Sequence, residues 1–181
     1  GIPLPLILVT FPAYLYDAGL DIQTIGIFGF LSIPFALKFL WSPFIDNYPL
    51  PIFRNMGKRR SWLLFIQLTL MTLIFLLSQI DPQNIVLVAL VSFSISFTAA
   101  SQDIVSDVFR IEKYPGDKQP LAAANYALGY RIAFLVISSQ SLIIAGDYSW
   151  RVSFIFVGLL ILTGVITNIL SSEASIKHIP T

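Results

Sequence analysis

The sequence predicts an all-α, polytopic membrane protein with six transmembrane helices, and three observations lead there. Hydrophobic residues make up 56% of the chain and charged residues only 12%, with a mean hydropathy of +0.79. A soluble domain carries roughly a quarter charged residues, so this chain has too little polar surface to cover a water-facing core. The apolar residues also fall in blocks close to the roughly 17–25 residues that a spanning helix needs. Finally, the uncharged run from Ile85 to Ala100 leads directly into two carboxylates, Asp103 and Asp107. An ionisable side chain at bilayer depth costs about 2.5–3.5 kcal/mol on insertion scales, so it faces a partner or a wet cavity.

The six segments follow in order. The first, residues 1–16, holds Pro3, Pro5 and Pro12 and is expected to be kinked. It is already apolar at Ile2 with no basic stretch before it, which reads as a fragment whose first helix has lost its beginning. The second segment, 23–45, contains Lys38; the third is 61–80; the fourth, 84–108, ends in the two aspartates. The fifth, 120–145, contains Arg131, and the sixth is 151–170. Trp62 and Trp150 stand at segment ends, as interfacial belt residues do. Trp41, Tyr14, Tyr126 and Tyr130 are expected in the core or belt, although each could stack on a sugar ring.

Loop charge fixes the orientation. The first, third and fifth loops carry Asp17, Asp21, Asp81 and Asp147, while the second and fourth carry Arg54, Lys58, Arg59, Arg60, Arg110, Lys113 and Lys118, and the tail adds Lys177. Positive loops stay in the cytoplasm, so segments 1, 3 and 5 run outward and 2, 4 and 6 return. The dense run Gly57-Lys58-Arg59-Arg60 is in addition a candidate for anionic lipid. Because the basic residues are confined to loops, the net charge of +1 gives no sign of a nucleic-acid partner.

Several classes of chemistry are excluded. There is no cysteine, and the single histidine, His178, lies in the polar tail, so no cysteine or histidine metal site, catalytic triad or other cofactor site is expected. The loops are too short for an ATP-binding unit, and no Gly-rich phosphate loop occurs. Transport, not enzymatic turnover, is therefore the expectation, driven by an ion gradient or by the substrate's own gradient.

The intramembrane charges are the candidate site. Asp103 and Asp107, four residues apart, share one face of a helix. Counted from segment ends, Lys38 lies about 12 Å deep, Asp103 about 10 Å, and Arg131 some 16 Å above the start of its segment. With their long stems, Lys38 and Arg131 are expected to cluster with Asp103, and a nearby loop arginine to satisfy Asp107. A partly desolvated carboxylate can carry a proton, which assigns proton coupling to Asp103 and Asp107. Lys38 and Arg131 would attract a substrate carboxylate, and Gln102, Asn125 and Tyr130 complete the candidate binding set, with a hydrogen bond to a neighbouring helix as the alternative for Gln102 and Asn125. The alternative reading is a structural ion pair that fixes helix packing.

Four stretches carry a family resemblance. They are Lys38-Phe39-Leu40-Trp41-Ser42-Pro43 ahead of Asp46, Gly57-Lys58-Arg59-Arg60-Ser61-Trp62, Ser101-Gln102-Asp103-Ile104 with Asp107, and Leu128-Gly129-Tyr130-Arg131. In this order they resemble the AmpG muropeptide permeases of the major facilitator superfamily, and the related acetyl-coenzyme A transporters share the third. The resemblance implies the N-terminal half of a major-facilitator fold, with residues 1–170 as the six-helix unit and 171–181 as a cytoplasmic tail or the start of a central linker. It implies a multi-pass protein of the bacterial inner membrane that imports anhydromuropeptides with protons for cell-wall recycling. Its partners would then be the lipid bilayer, a glycopeptide, protons and a C-terminal half, covalent or separate. It further implies a cytoplasmic gating loop at Asp46, Lys58, Arg59 and Arg60, with Ser42 and Asn47 where the superfamily pattern has glycine and a basic residue. Acetyl-coenzyme A or another anionic metabolite is the alternative cargo, and a non-transporting remnant or assembly partner the alternative role.

Overall fold

Proline spacing decides how regular each helix can be, because proline has no N–H for the carbonyl four residues back. The computed structural model describes residues 2–50, 56–114 and 116–172, so Arg54, Lys177, His178 and the expected tail beyond Ser172 lie outside the described residues. Helix α1 covers residues 3–17, with Pro3–Pro5 and Phe11–Asp17 α-helical and Leu6–Thr10 in a π turn. Pro12 has no N–H to offer Leu8, and the widened turn just before it is where the expected distortion falls.

Helix α2 covers residues 22–47 and is not one regular helix. Ile22–Ile27, Ile33–Leu37 and Ser42–Asn47 are α-helical, while Phe28–Ser32 and Lys38–Leu40 are 3-10 turns. The hydrophobic segment expected at 23–45 is thus helical in three pieces. Pro34 and Pro43 deprive Phe30 and Phe39 of their donors, and both of those residues stand in the 3-10 turns. The helix starts at Asp21, whose carboxylate accepts from the Thr24 amide at 3.1 Å and the Thr24 hydroxyl at 2.6 Å. These bonds hold the Asp21 carboxyl below the usual aspartate range.

The remaining four helices are regular: α3 Lys58–Leu77, α4 Ile85–Lys113, α5 Gln119–Asp147 and α6 Trp150–Leu170. Two boundaries differ from the expectation. Helix α3 starts early enough to carry Lys58, Arg59 and Arg60 on its first turn, and α4 runs on to Lys113, just short of Pro115. Lys58, Arg59, Arg60, Arg110 and Lys113 thus ride on helix ends and not in loops, because a helix does not stop where the apolar window stops. Ile22–Leu40, α3, α4, the stretch Gly116–Asp147 and α6 are each long and apolar enough to cross a membrane. Helix α1 is shorter, about 22 Å at 1.5 Å per residue.

Packing centres on α3, which lies against α4 and α6, while α5 packs on α6 and α1. Leu70 and Ile74 of α3, Val88 and Ile95 of α4, and Val157 and Ile161 of α6 share a core with Leu6 and Leu15 of α1. Lipid tails are as apolar as leucine, so helix association in a bilayer rests on close approach and interhelical hydrogen bonds. Both are present. Gly158 admits the Phe75 ring to 2.7 Å from where a Cβ would stand. Thr10 and Ser141 hydroxyls share a hydrogen bond of 2.7 Å, and the Ser153 hydroxyl donates to the Ser141 carbonyl at 2.7 Å. The Ser96 hydroxyl donates to the Leu31 carbonyl, tying α4 to α2. Helix α5 buries only Ile137 and Ser141, so most of its surface is left open.

Candidate functional site

The irregular end of α2 meets α4 at the residues the sequence singled out. Trp41 donates its indole N–H to the Ser101 hydroxyl at 3.0 Å and stacks on Phe97 with ring centroids 4.5 Å apart. The Ser101 hydroxyl in turn donates to the Phe97 carbonyl at 2.9 Å. This interlock sets the register between two distant motifs, Lys38-Phe39-Leu40-Trp41 and Ser101-Gln102-Asp103. Lys38, in the 3-10 turn, is the side-chain cation that acts on Asp103, and Asp107 is the neighbouring anion. The two are electrostatic neighbours without forming an ion pair among the described residues. Tyr126 and Tyr130 on α5 also lie within electrostatic reach of Asp103.

Arg131 stands elsewhere. It is exposed and forms no ion pair among the described residues, so the expected contact of Lys38, Asp103 and Arg131 is not assembled. One residue along a helix is a rotation of about 100°. That step puts Tyr130, half-buried, within reach of Asp103 and leaves Arg131 on the open face of α5. Gln102 has its amide oxygen buried with no hydrogen-bond partner among the described residues.

Toward the basic end the loop arginine expected beside Asp107 is Arg110. It is 3.5 Å from the Asp107 carboxylate, and its guanidinium lies 5.3 Å from the Tyr126 ring centroid. A cavity of about 610 Å³ opens beside it between α4 and α5, walled by Leu63, Ser106, Phe109, Asn125 and Tyr126 among others. Asn125 lines this cavity. Arg110 as a wall of that cavity escaped the sequence reading, which placed it in a loop. The i, i+3 spacing to Asp107 on a continuing helix was the signal that could have found it.

The gating-loop candidates form a clamp across three helices. Arg59 of α3 is 9% exposed and donates to Asp46 of α2 at 2.7 Å and to Glu112 of α4 at 2.8 Å. The Lys58 ammonium donates to the Asp46 carbonyl. Arg60 instead donates to the carbonyls of Asn168 and Ile169 at the end of α6, 3.1 and 2.9 Å away, while the Asn168 amide donates back to the Arg60 carbonyl. A cation there satisfies carbonyls that a helix end leaves open. Glu112, on the extension of α4 beyond residue 108, completes the clamp and is not among the sequence candidates.

Residues 5–177 match the sequence model of the Major Facilitator Superfamily. An uncharacterised protein of Haemophilus influenzae is 36% identical over 97% of this chain and 41% of its own length. The anhydromuropeptide permease of Escherichia coli K12 is 33% identical over 96% of this chain and 35% of its own length. A Rickettsia felis protein provisionally named transporter AmpG 4 is 27% identical over 96% of this chain and 42% of its own length. The chain therefore spans 35–42% of the length of these curated relatives.

Proposed function

This chain belongs to the major facilitator superfamily and is a multi-pass membrane protein, and on that premise we propose that it is the N-terminal half of a proton-coupled importer of anhydromuropeptides. Residues 1–170 form the six-helix unit, and 171–181 lead into the tail or linker. The protein sits in the bacterial inner membrane with its basic helix ends in the cytoplasm, because Lys and Arg concentrate there. The observation that supports the reading is the interlock of α2 and α4, in which Trp41, three residues along from Lys38, donates to Ser101, two residues before Asp103. The similarity to the E. coli anhydromuropeptide permease supports the choice of cargo.

Each candidate residue then has a role. Asp103 accepts the coupled proton, with Asp107 as the relay toward the cytoplasm. Lys38 compensates the Asp103 carboxylate and is released to a substrate carboxylate when Asp103 is protonated. Arg131 and Asn125, open on α5, and Gln102, with its unmatched amide oxygen, offer the polar contacts that orient a glycopeptide, and Tyr130 lies beside the proton site. The clamp of Asp46, Arg59 and Glu112 holds the cytoplasmic ends of α2, α3 and α4 as one body while the halves rock. The second half supplies the facing wall of the cavity.

The test is counterflow of labelled anhydromuropeptide in vesicles containing the full-length protein. Exchange of muropeptide, with acetyl-coenzyme A unable to compete, is the expected result. Counterflow of acetyl-coenzyme A without muropeptide exchange would transfer the fold to the other cargo.

A further inference from the structure

At the basic end of the bundle most cations are already engaged by the protein. Arg59 is held by Asp46 and Glu112, Arg60 by the carbonyls ending α6, and Lys58 by the Asp46 carbonyl. The Lys58-Arg59-Arg60 run, the sequence's candidate for anionic lipid, is therefore built into the fold. Arg110 and Lys118 are placed differently. Both line the cavity of about 610 Å³ between the end of α4 and the start of α5, and its other walls include Leu63, Phe109, Leu121 and Tyr126. The Arg110 Nε is buried and has no hydrogen-bond partner among the described residues, while the Asp107 carboxylate reaches only its Nη2, at 3.5 Å.

We propose that this cavity binds one anionic phospholipid, with the phosphate between Arg110 and Lys118 and an acyl chain along Leu63, Phe109 and Leu121. The argument is one of complementarity. The two cations stand at the ends of their helices, where a membrane helix meets the headgroup layer, and Tyr114 lines the same rim. Ser106 and Asn125 lie about one to two turns deeper, roughly 6–10 Å along the helix axes. The walls between are predominantly apolar. A small soluble anion would satisfy the cations and leave those walls wet; a zwitterionic lipid would cover the walls and leave excess positive charge. Only an amphiphile with a net negative head matches both ends, and basic residues at a membrane surface attract such lipids. The inference rests on the membrane placement of the chain; a lipid in this cavity would cover Asn125 and take that residue out of the cargo-binding set, leaving Lys38, Arg131, Gln102 and Tyr130.

Native mass spectrometry of the full-length protein tests it. The protein is equilibrated with equal amounts of phosphatidylglycerol and phosphatidylcholine and then stripped by activation. Wild type is expected to retain one phosphatidylglycerol in preference to phosphatidylcholine. Arg110→Gln combined with Lys118→Gln should lower that preference at least tenfold, whereas Arg110→Lys with native Lys118 should keep it. Ala122→Phe, which fills the cavity, should expel lipid of either kind, and Arg151→Gln at the opposite end should change nothing. The proposal is overturned if wild type retains no lipid, if it holds phosphatidylcholine equally well, or if the double glutamine variant retains phosphatidylglycerol like wild type. Displacement by millimolar inorganic phosphate would assign the cations to a soluble anion and also overturn it. A raised KM for the transported substrate with unchanged lipid retention would place the cavity on the substrate path, with the same consequence.

Discussion

At Asp103 the carboxylate feels Lys38 through space, and no salt bridge to another described residue ties it down. A group placed so can gain and lose a proton without breaking the bundle apart. Asp103→Asn in the full-length protein keeps size and hydrogen-bonding capacity and removes only the titratable charge. It should abolish gradient-driven accumulation while counterflow exchange continues; full proton-coupled accumulation by this variant would rule out the carrier role. A structural pair behaves otherwise: Asp103→Asn or Lys38→Gln would each destabilise by about 3–5 kcal/mol, and the double variant would recover. At the opposite end, Asp21 is a simpler residue. Its carboxyl is held below the ordinary value of 3.8, so its contribution to the start of α2 is complete above that value and fades as pH falls through the lower folded-state value. Amide exchange at Thr24 should therefore quicken on acidification in that window, and Asp21→Asn should blunt the change. Charged residues within apolar runs, such as Lys38 and Asp103, were legible in the sequence because bilayer depth makes any charge conspicuous. Which charges meet was not legible, since a step of one residue separates Tyr130 from Arg131 and turns them to different surroundings.

Helix α3 is held to α6 by close approach, and that makes Gly158 the sensitive position of the pair. A Cβ there would stand 2.7 Å from the Phe75 ring, so Gly158→Ala should cost about 1–3 kcal/mol by overpacking. Gly129→Ala on the open face of α5 meets nothing within 4 Å and should be neutral or mildly stabilising. Thermal unfolding in detergent of the two variants compares them directly, and an equal effect would show that α3 and α6 do not pack as closely as described. The clamp on Arg59 gives a second test of the elements. Arg59→Gln strands Asp46 and Glu112 on separate helices; because both carboxylates keep partial contact with solvent, it should cost about 1–2 kcal/mol, read as a lowered unfolding midpoint. Helix existence was legible from hydropathy, segment by segment. Helix ends were not, because the apolar window closes at the membrane boundary while backbone hydrogen bonding continues to Lys113. The break in α2 was half-legible: Pro34 and Pro43 stood in the sequence, yet only the 3-10 turns show that the helix yields at Lys38.

Across the whole molecule, the charged ends and the open face of α5 set what the chain can do. Reporter tags in 47–58 and after Ser172 should be cytoplasmic, and a tag between Asp81 and Asn84 external, because Lys and Arg concentrate at one end of the bundle. External labelling of the Gly57 to Arg60 cluster would reverse the orientation. The order of the hydrophobic segments could be read from the sequence, and five of the described helices are long and apolar enough to span; their arrangement could not, since it depends on contacts such as Thr10 with Ser141 that join residues far apart in the chain. That arrangement leaves Asn125, Arg131 and Gln140 exposed on α5, polar side chains on a helix long and apolar enough to span a bilayer. Polar groups in that position need a protein surface or a wet cavity beside them. The curated relatives are more than twice as long as this chain, which leaves room in them for such a surface. The 181 residues alone should therefore insert, since each helix satisfies its own backbone, yet fail to accumulate substrate in a host that lacks the remaining half. Supplying that half as a separate chain should restore uptake. Robust accumulation by these residues alone would sink the one-half reading, and a homodimer acting as a working pair would then be the first arrangement to examine by crosslinking across Arg131.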